Sequence, residues 1–121
     1  MRFENGPESC WVILFRSRLN EQIDGYEAMA AEMFELGRGM PGFIDFKSFQ
    51  AEDGEQLSVA WWENEETLAA WRNHPRHQLA QRLGREQWYA YFKIEVAHVI
   101  RAKDFFCEAR PKVPAPPSTI T

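Results

Sequence analysis

The segment Cys10-Trp-Val-Ile-Leu-Phe-Arg-Ser-Arg18 is apolar on both of its alternating sets before it turns charged, with Trp11, Ile13 and Phe15 on one set and Val12 and Leu14 on the other. A half-exposed strand alternates apolar with polar residues, so a run like this reads as a strand covered on both faces. In a chain of 121 residues, one layer of helices can cover one face of a sheet. The other face needs cover that a single copy does not supply, and burying it against a second copy would also help a domain this small.

The hydrophobic period then switches in a definite order. From Glu21 to about Arg38, Ile23, Tyr26, Ala30, Met33, Phe34 and Gly37 recur at three and four residues, which predicts an amphipathic helix with Asn20 as its cap. Met40-Pro41-Gly42 ends it. Phe43 to Gln50 alternates, with Phe43, Asp45, Lys47 and Phe49 against Ile44, Phe46 and Ser48, and Asp53-Gly54 turns the chain into a second strand, Gln56 to Trp62. Asn64 followed by Glu65 and Glu66 is a helix start that runs on through Leu68, Ala69, Trp71 and Arg72. Pro75 either breaks that helix or opens another, which continues from His77 to about Leu83 and stops at Gly84. Tyr91 to Arg101 alternates again, with Phe92, Ile94, Val96, His98 and Ile100 on one side. The order strand, helix, strand, strand, helix, strand predicts an α+β fold, the ferredoxin-like βαββαβ arrangement with a four-stranded antiparallel sheet. Two such sheets face to face in a homodimer would cover both faces of the first strand. The stretch 107–121, rich in Pro and small polar residues, reads as an extended or disordered tail.

Chemistry concentrates between Trp61 and Tyr91, which hold four of the five tryptophans and two of the three histidines. Large rings with polar tips belong in a core, an interface or the wall of an apolar pocket, and imidazole titrates near neutral pH. A net charge of −4 without a Lys or Arg run excludes an electrostatic footprint for nucleic acid or an anionic membrane. The short, interrupted apolar run after the N-terminus predicts neither a signal peptide nor a membrane span, so a cytoplasmic protein with reduced Cys10 and Cys107 is expected. Those two cysteines have no metal or redox spacing, and no phosphate loop, nucleophile elbow or paired-carboxylate motif is present.

His74 and His77 stand three residues apart with Pro75 between them. As structural groups, His74 would cap the preceding helix and His77 would pack on Trp71 or bond a backbone carbonyl. As chemical groups, either could take a phenolic proton from an aromatic ligand at neutral pH. The nearest carboxylates, Glu63, Glu65, Glu66 and Glu86, are not in a metal-ligand spacing with them, and no metal is expected. His98, alone on an apolar strand set, reads as a satisfied core or pocket histidine.

Taken together, Met40-Pro-Gly-Phe43, the Asp-Gly hairpin, Ala60-Trp-Trp-Glu63 and the run from Asn64 through Thr67-Leu-Ala-Ala-Trp-Arg-Asn-His-Pro-Arg-His77 resemble the antibiotic biosynthesis monooxygenase (ABM) superfamily of dimeric α+β barrels. The likeness covers roughly residues 9 to 103, which makes 1–106 one ABM-like domain. The resemblance implies a homodimer whose protomers each enclose a hydrophobic pocket, and oxygenation of quinols or polycyclic aromatics without metal or flavin. On that reading His77, with His74 as the other candidate, is the base that deprotonates a hydroquinone or phenol. Arg72 or Arg85 balances the anion, and Trp62, Trp71, Trp88, Tyr89 and Phe92 are walls. Trp88 is alternatively part of a dimer seam, and both arginines are alternatively ordinary surface charges. A haem-degrading branch of the same superfamily uses an Asn on the first strand, a Trp on the second helix and a His ligand about ten residues later. Here the Trp is Trp71, but the ligand position falls on Gln81 and the Asn position near Phe15, so no haem is expected. The alternative to an enzyme is a dimeric module that holds a hydrophobic small molecule unchanged.

Overall fold

The computed structural model describes residues 10–107 of the chain. Strand β1 (Trp11–Leu19) is followed by helix α1 (Tyr26–Arg38), the hairpin of β2 (Phe43–Gln50) and β3 (Gln56–Trp62), helices α2 (Glu65–Arg72) and α3 (Pro75–Leu83), a π-helical turn (Gly84–Trp88) and β4 (Tyr89–His98). The sheet order is β2-β3-β1-β4 with every neighbouring pair antiparallel. This is the α+β ferredoxin-like arrangement. The doubly apolar strand β1 lies inside the sheet, where its pairing with β3 and β4 sets Ile13 beside Ala60 and Val96, and Leu14 beside Val59 and Glu95. The tail expected at 107–121 lies, apart from Cys107, outside the described residues.

Several local expectations need correction. Asn20 does not cap α1: its backbone N–H donates to the Trp88 carbonyl at 2.8 Å and its Nδ2 to the Gln87 carbonyl at 3.1 Å. The helix instead begins at Tyr26 behind Gly25, whose φ of 84° only glycine adopts freely. Residues Phe43 to Asp45 do not keep strict alternation either. Phe43 pairs with Trp62 and Asp45 with Trp61, a bulge that turns Phe43 to the same side as Phe46. The last strand starts at Tyr89, two residues before the alternation becomes visible, and ends at His98. There His98 is exposed, with its ring stacked on Trp11 at 4.4 Å rather than buried in a core or pocket.

Caps decide the α2–α3 corner. The Asn64 side chain accepts from the Thr67 N–H at 2.9 Å, with Glu65 and Glu66 in the first turn, as the sequence predicts. Pro75 opens a new helix at its first position, where a missing N–H costs nothing. His74 caps that following helix, not the preceding one: its Nδ1 accepts from the Arg76 N–H at 3.1 Å. At the start of β2, Gly42 has φ 85°, and any side chain there would overlap Thr67 of α2. The hydrophobic centre is Trp62, Leu68 and Trp71, with Met33 and Leu36 of α1 packed against it.

Candidate functional site

Between the helices and the face of the sheet that carries Ile13, Phe15, Ala60, Ile94 and Val96 lies a cavity of about 400 Å³. Helix α1 walls it with Tyr26, Met29, Met33 and Phe34, α2 with Leu68, Trp71 and Arg72, and α3 with His77, Ala80 and Gln81. Its rim is open, for Phe34 and Ile94 border it at 42% and 46% exposure. Volume and lining suit a multi-ring aromatic molecule.

Trp62, Trp71, Arg72, His77, Arg85, Trp88, Tyr89 and Phe92, all singled out in the sequence, border this one cavity, and His74 does not. Three elements bring them together. The end of β3 supplies Trp62, the α2–α3 corner supplies Trp71, Arg72 and His77, and the π-helical turn with the start of β4 supplies Arg85, Trp88, Tyr89 and Phe92. Trp88 is buried within the protomer, where its Nε1 donates to the Asp24 carbonyl at 2.9 Å. Among the described residues, neither Arg72 nor Arg85 makes an ion pair, whereas Arg76 grips Glu32 of α1 at 2.6 and 2.7 Å.

The His77 ring is held by a stack and a hydrogen bond. It stacks on Trp71 with centroids 4.2 Å apart and planes 14° apart, and its Nδ1 lies 3.1 Å from the Trp71 carbonyl oxygen. A carbonyl only accepts, so Nδ1 carries the proton and the lone pair of the neutral imidazole is on Nε2. Burial pushes this imidazole below its usual range. The Trp71 carbonyl opposes that shift and the neighbouring His74 adds slightly to it. Tyr89 is moved the other way: burial raises its phenol well above the ordinary range, and the neighbouring Tyr26 adds to the effect. The Trp62 Nε1 is buried without a hydrogen-bond partner among the described residues.

The residues present do not supply a haem site of the kind found in the haem-degrading branch. Gln81 and Phe15, at the ligand and Asn positions, both border the cavity, and an amide is a poor axial ligand for iron. No group of three or more His, Cys, Asp or Glu side chains among the described residues is placed to hold a metal ion, and no described helix is long and apolar enough to cross a membrane.

Sequence reasoning missed Tyr26, Met29, Phe46 and Ile94 as walls of the site. Tyr26 could have been found, since it shares the spacing of Ala30, Met33 and Gly37 on α1. Met29 could have been found in the same way, since it lies three residues after Tyr26 and four before Met33 on that face.

Comparison with known proteins agrees with this architecture. A family model described as antibiotic biosynthesis monooxygenase matches residues 12–83. The protein YqjZ of Bacillus subtilis (strain 168) is 33% identical over 95 residues, covering 78% of this chain and 83% of YqjZ. Among solved structures, a conserved protein from Methanosarcina mazei Go1 superposes with a TM-score of 0.66 at 13% identity, over 75% of this chain and 93% of that one. SnoaB, a cofactor-independent oxygenase from Streptomyces nogalater, superposes with a TM-score of 0.61 at 14% identity, over 88% of this chain and 99% of its own. Identities this low speak for the fold alone. The family match, running from β1 through α3, and the similarity to YqjZ carry the assignment further: this chain belongs to the antibiotic biosynthesis monooxygenase family.

Proposed function

We propose that the protein is a cofactor-independent monooxygenase that oxidises a quinol or other phenolic aromatic in the cavity, with His77 as the base. The observation that carries this reading is the placement of His77, an imidazole on a cavity wall stacked on Trp71 with Nδ1 at 3.1 Å from its carbonyl oxygen, which leaves Nε2 as the atom to act as base. Family membership and the likeness to an oxygenase that needs no cofactor support it.

The chemistry requires little machinery. Nε2 takes the phenolic proton, and the ring-stacked Trp71 keeps the imidazole in place while it does so. The phenolate gives one electron to dioxygen, and the resulting aryloxyl radical and superoxide combine at a ring carbon to form a C–O bond. The imidazolium returns its proton to the peroxide. Loss of the ring C–H proton with cleavage of the O–O bond leaves a quinone carbonyl and water, so one oxygen atom enters the product and the other leaves as water. Arg72 and Arg85 offset the charge of the phenolate at the rim, and the apolar walls keep bulk water from the radical pair. No step is routed through iron or flavin.

The protein works, on this reading, as a homodimer. On the sheet face turned away from the cavity, the half-buried Leu14, Leu57 and Trp61 flank the buried Val12 and Val59 on neighbouring strands, and a second copy of the same face would complete their cover.

The test is oxygen uptake by the purified protein against a panel of hydroquinones and naphthols, with product identified by mass. Incorporation of one atom of oxygen per molecule supports the enzyme. Saturable binding with no uptake across the panel would instead favour a module that only holds its ligand.

A further inference from the structure

The proton transfer proposed above takes place at one end of the cavity. Trp62, Trp71 and His77 gather there, and the Trp71 ring lies against Gly37 near the C-terminal end of α1. Between Tyr26 and Gly37 the helix rises about 16 Å, at 1.5 Å per residue. The opposite end of the cavity is therefore a separate place with its own walls.

Tyr26 stands at that far end, edge-on to Trp88 (5.7 Å between centroids) and to Tyr89 (6.0 Å, 84° between planes). Tyr89 is in turn edge-on to Phe15 at 5.4 Å and to Phe92 at 5.8 Å. Its place is set by the fold, since a Cβ on Gly84 of the π-helical turn would come within 2.7 Å of the Tyr89 ring. Departures from the α-helical pattern of this kind recur where a helix is bent to serve a site. The indole N–H of Trp88 is already committed to Asp24, which leaves the two phenols as the hydrogen-bonding groups set among these rings, with the exposed Arg85 of the same turn also bordering the cavity. Each hydroxyl has one proton to donate, so when one bonds the other, a donor remains free. Burial keeps Tyr89 protonated through the neutral range.

We infer that the Tyr26–Tyr89 pair is a second polar anchor of the cavity, binding an oxygen at the end of the ligand remote from His77. The ligand so selected is an elongated, fused-ring aromatic with oxygen at both ends, and a single-ring quinol reaches only one anchor. Tyr26 and Tyr89 determine specificity and take no part in the proton transfer. The inference rests on the proposal that the cavity binds a phenolic aromatic.

The probes are 2-hydroxyanthracene and 2,6-dihydroxyanthracene, titrated without oxygen into the whole protein while tryptophan fluorescence is followed. The diol should bind about tenfold more tightly, the factor one well-made hydrogen bond supplies, beyond the statistical advantage of its symmetry. Tyr26→Phe should remove most of that preference and leave the affinity for the mono-ol nearly unchanged. Tyr89→Phe should weaken it partway. Equal affinity of the unaltered protein for both probes would overturn the second anchor alone, as would a preference that survives both substitutions. Binding of neither probe would overturn the cavity reading and this inference with it.

Discussion

The imidazole of His77 lies flat on the indole of Trp71, 4.2 Å between centroids, and hydrogen-bonds through Nδ1 to the carbonyl of that same residue at 3.1 Å. One residue thus fixes both the plane of the ring and its tautomer. The turn that makes this possible is short: α2 ends at Arg72, His74 caps the next helix, and Pro75 starts it, so His77 comes back over Trp71 within six residues. His74 is spent on the cap and Arg76 on Glu32. Of the two histidines at this corner, His77 is the one that borders the cavity.

Replacing His77 by Ala should lower oxygenation of an accepted quinol by roughly a hundredfold or more, the usual scale for loss of a general base. Loss of the stack on Trp71 should cost about 1 kcal/mol, a few degrees in melting temperature. Steady-state rates and a thermal melt on the same preparation check this. Unchanged turnover would remove His77 from the mechanism.

Stability should decline as pH falls through the region below about 6.5, the ordinary pKa of imidazole. Burial lowers the His77 pKa in the folded state, so on acidification the unfolded chain takes up a proton that the folded chain refuses until lower pH. The contribution is fully present above the unfolded pKa and is lost on the way down. Urea midpoints measured across this range should show the slope, and His77→Gln should flatten it. A slope identical in the variant would mean that other groups cause it.

In solution at low micromolar concentration, light scattering should give twice 14.2 kDa. Leu14 sits on the sheet face away from the cavity, beside Val59, so Leu14→Glu should shift the mass toward one copy by placing a charge in an interface on the order of 2,000 Å². An unaltered protein that is monomeric and well folded would end the homodimer proposal.

Hemin added to the protein should produce no sharp, saturable Soret shift at one equivalent per chain, because the ligand position is Gln81. Spectra taken with and without ascorbate decide it. Stoichiometric binding followed by loss of the band would replace the quinol reading with haem degradation.

Gly42→Ala should destabilise the fold by about 2 kcal/mol or more, combining strain at positive φ with steric overlap on Thr67. Chemical denaturation measures it. An effect below a few tenths would mean that the β2 entry can move away from α2.

Much of the architecture was legible because it is local. The doubly apolar run in β1, the stripe from Tyr26 to Gly37, the Asp-Gly hairpin and the Asn64 cap each follow from spacing within a dozen residues, and their order suffices to name the sheet topology. The family was legible for the same reason, since its pattern runs along the chain from Ala60 to His77. Walls such as Trp71 and Tyr89 were legible as large rings that a small chain does not leave in water.

What tertiary structure alone decided depends on residues distant in sequence. Nothing near Tyr26 announces that it will meet Tyr89, since only the crossover from β3 through α3 and the π-helical turn brings the start of β4 beside the start of α1. The capping preference of Asn20 lost to hydrogen bonds with the carbonyls of Gln87 and Trp88, and the alternation of β2 lost to a bulge set by its pairing with β3. Which of His74 and His77 reaches the cavity was of the same kind. Both have the chemistry a base needs, and the turn at Pro75 directs one imidazole to a backbone N–H and stacks the other on Trp71 at the cavity. Sequence determines which groups a chain carries and how each segment prefers to coil. Which of them share a cavity is settled by packing, because a contact between remote segments forms only where the buried surface of the whole sheet and its helices outweighs any one local preference.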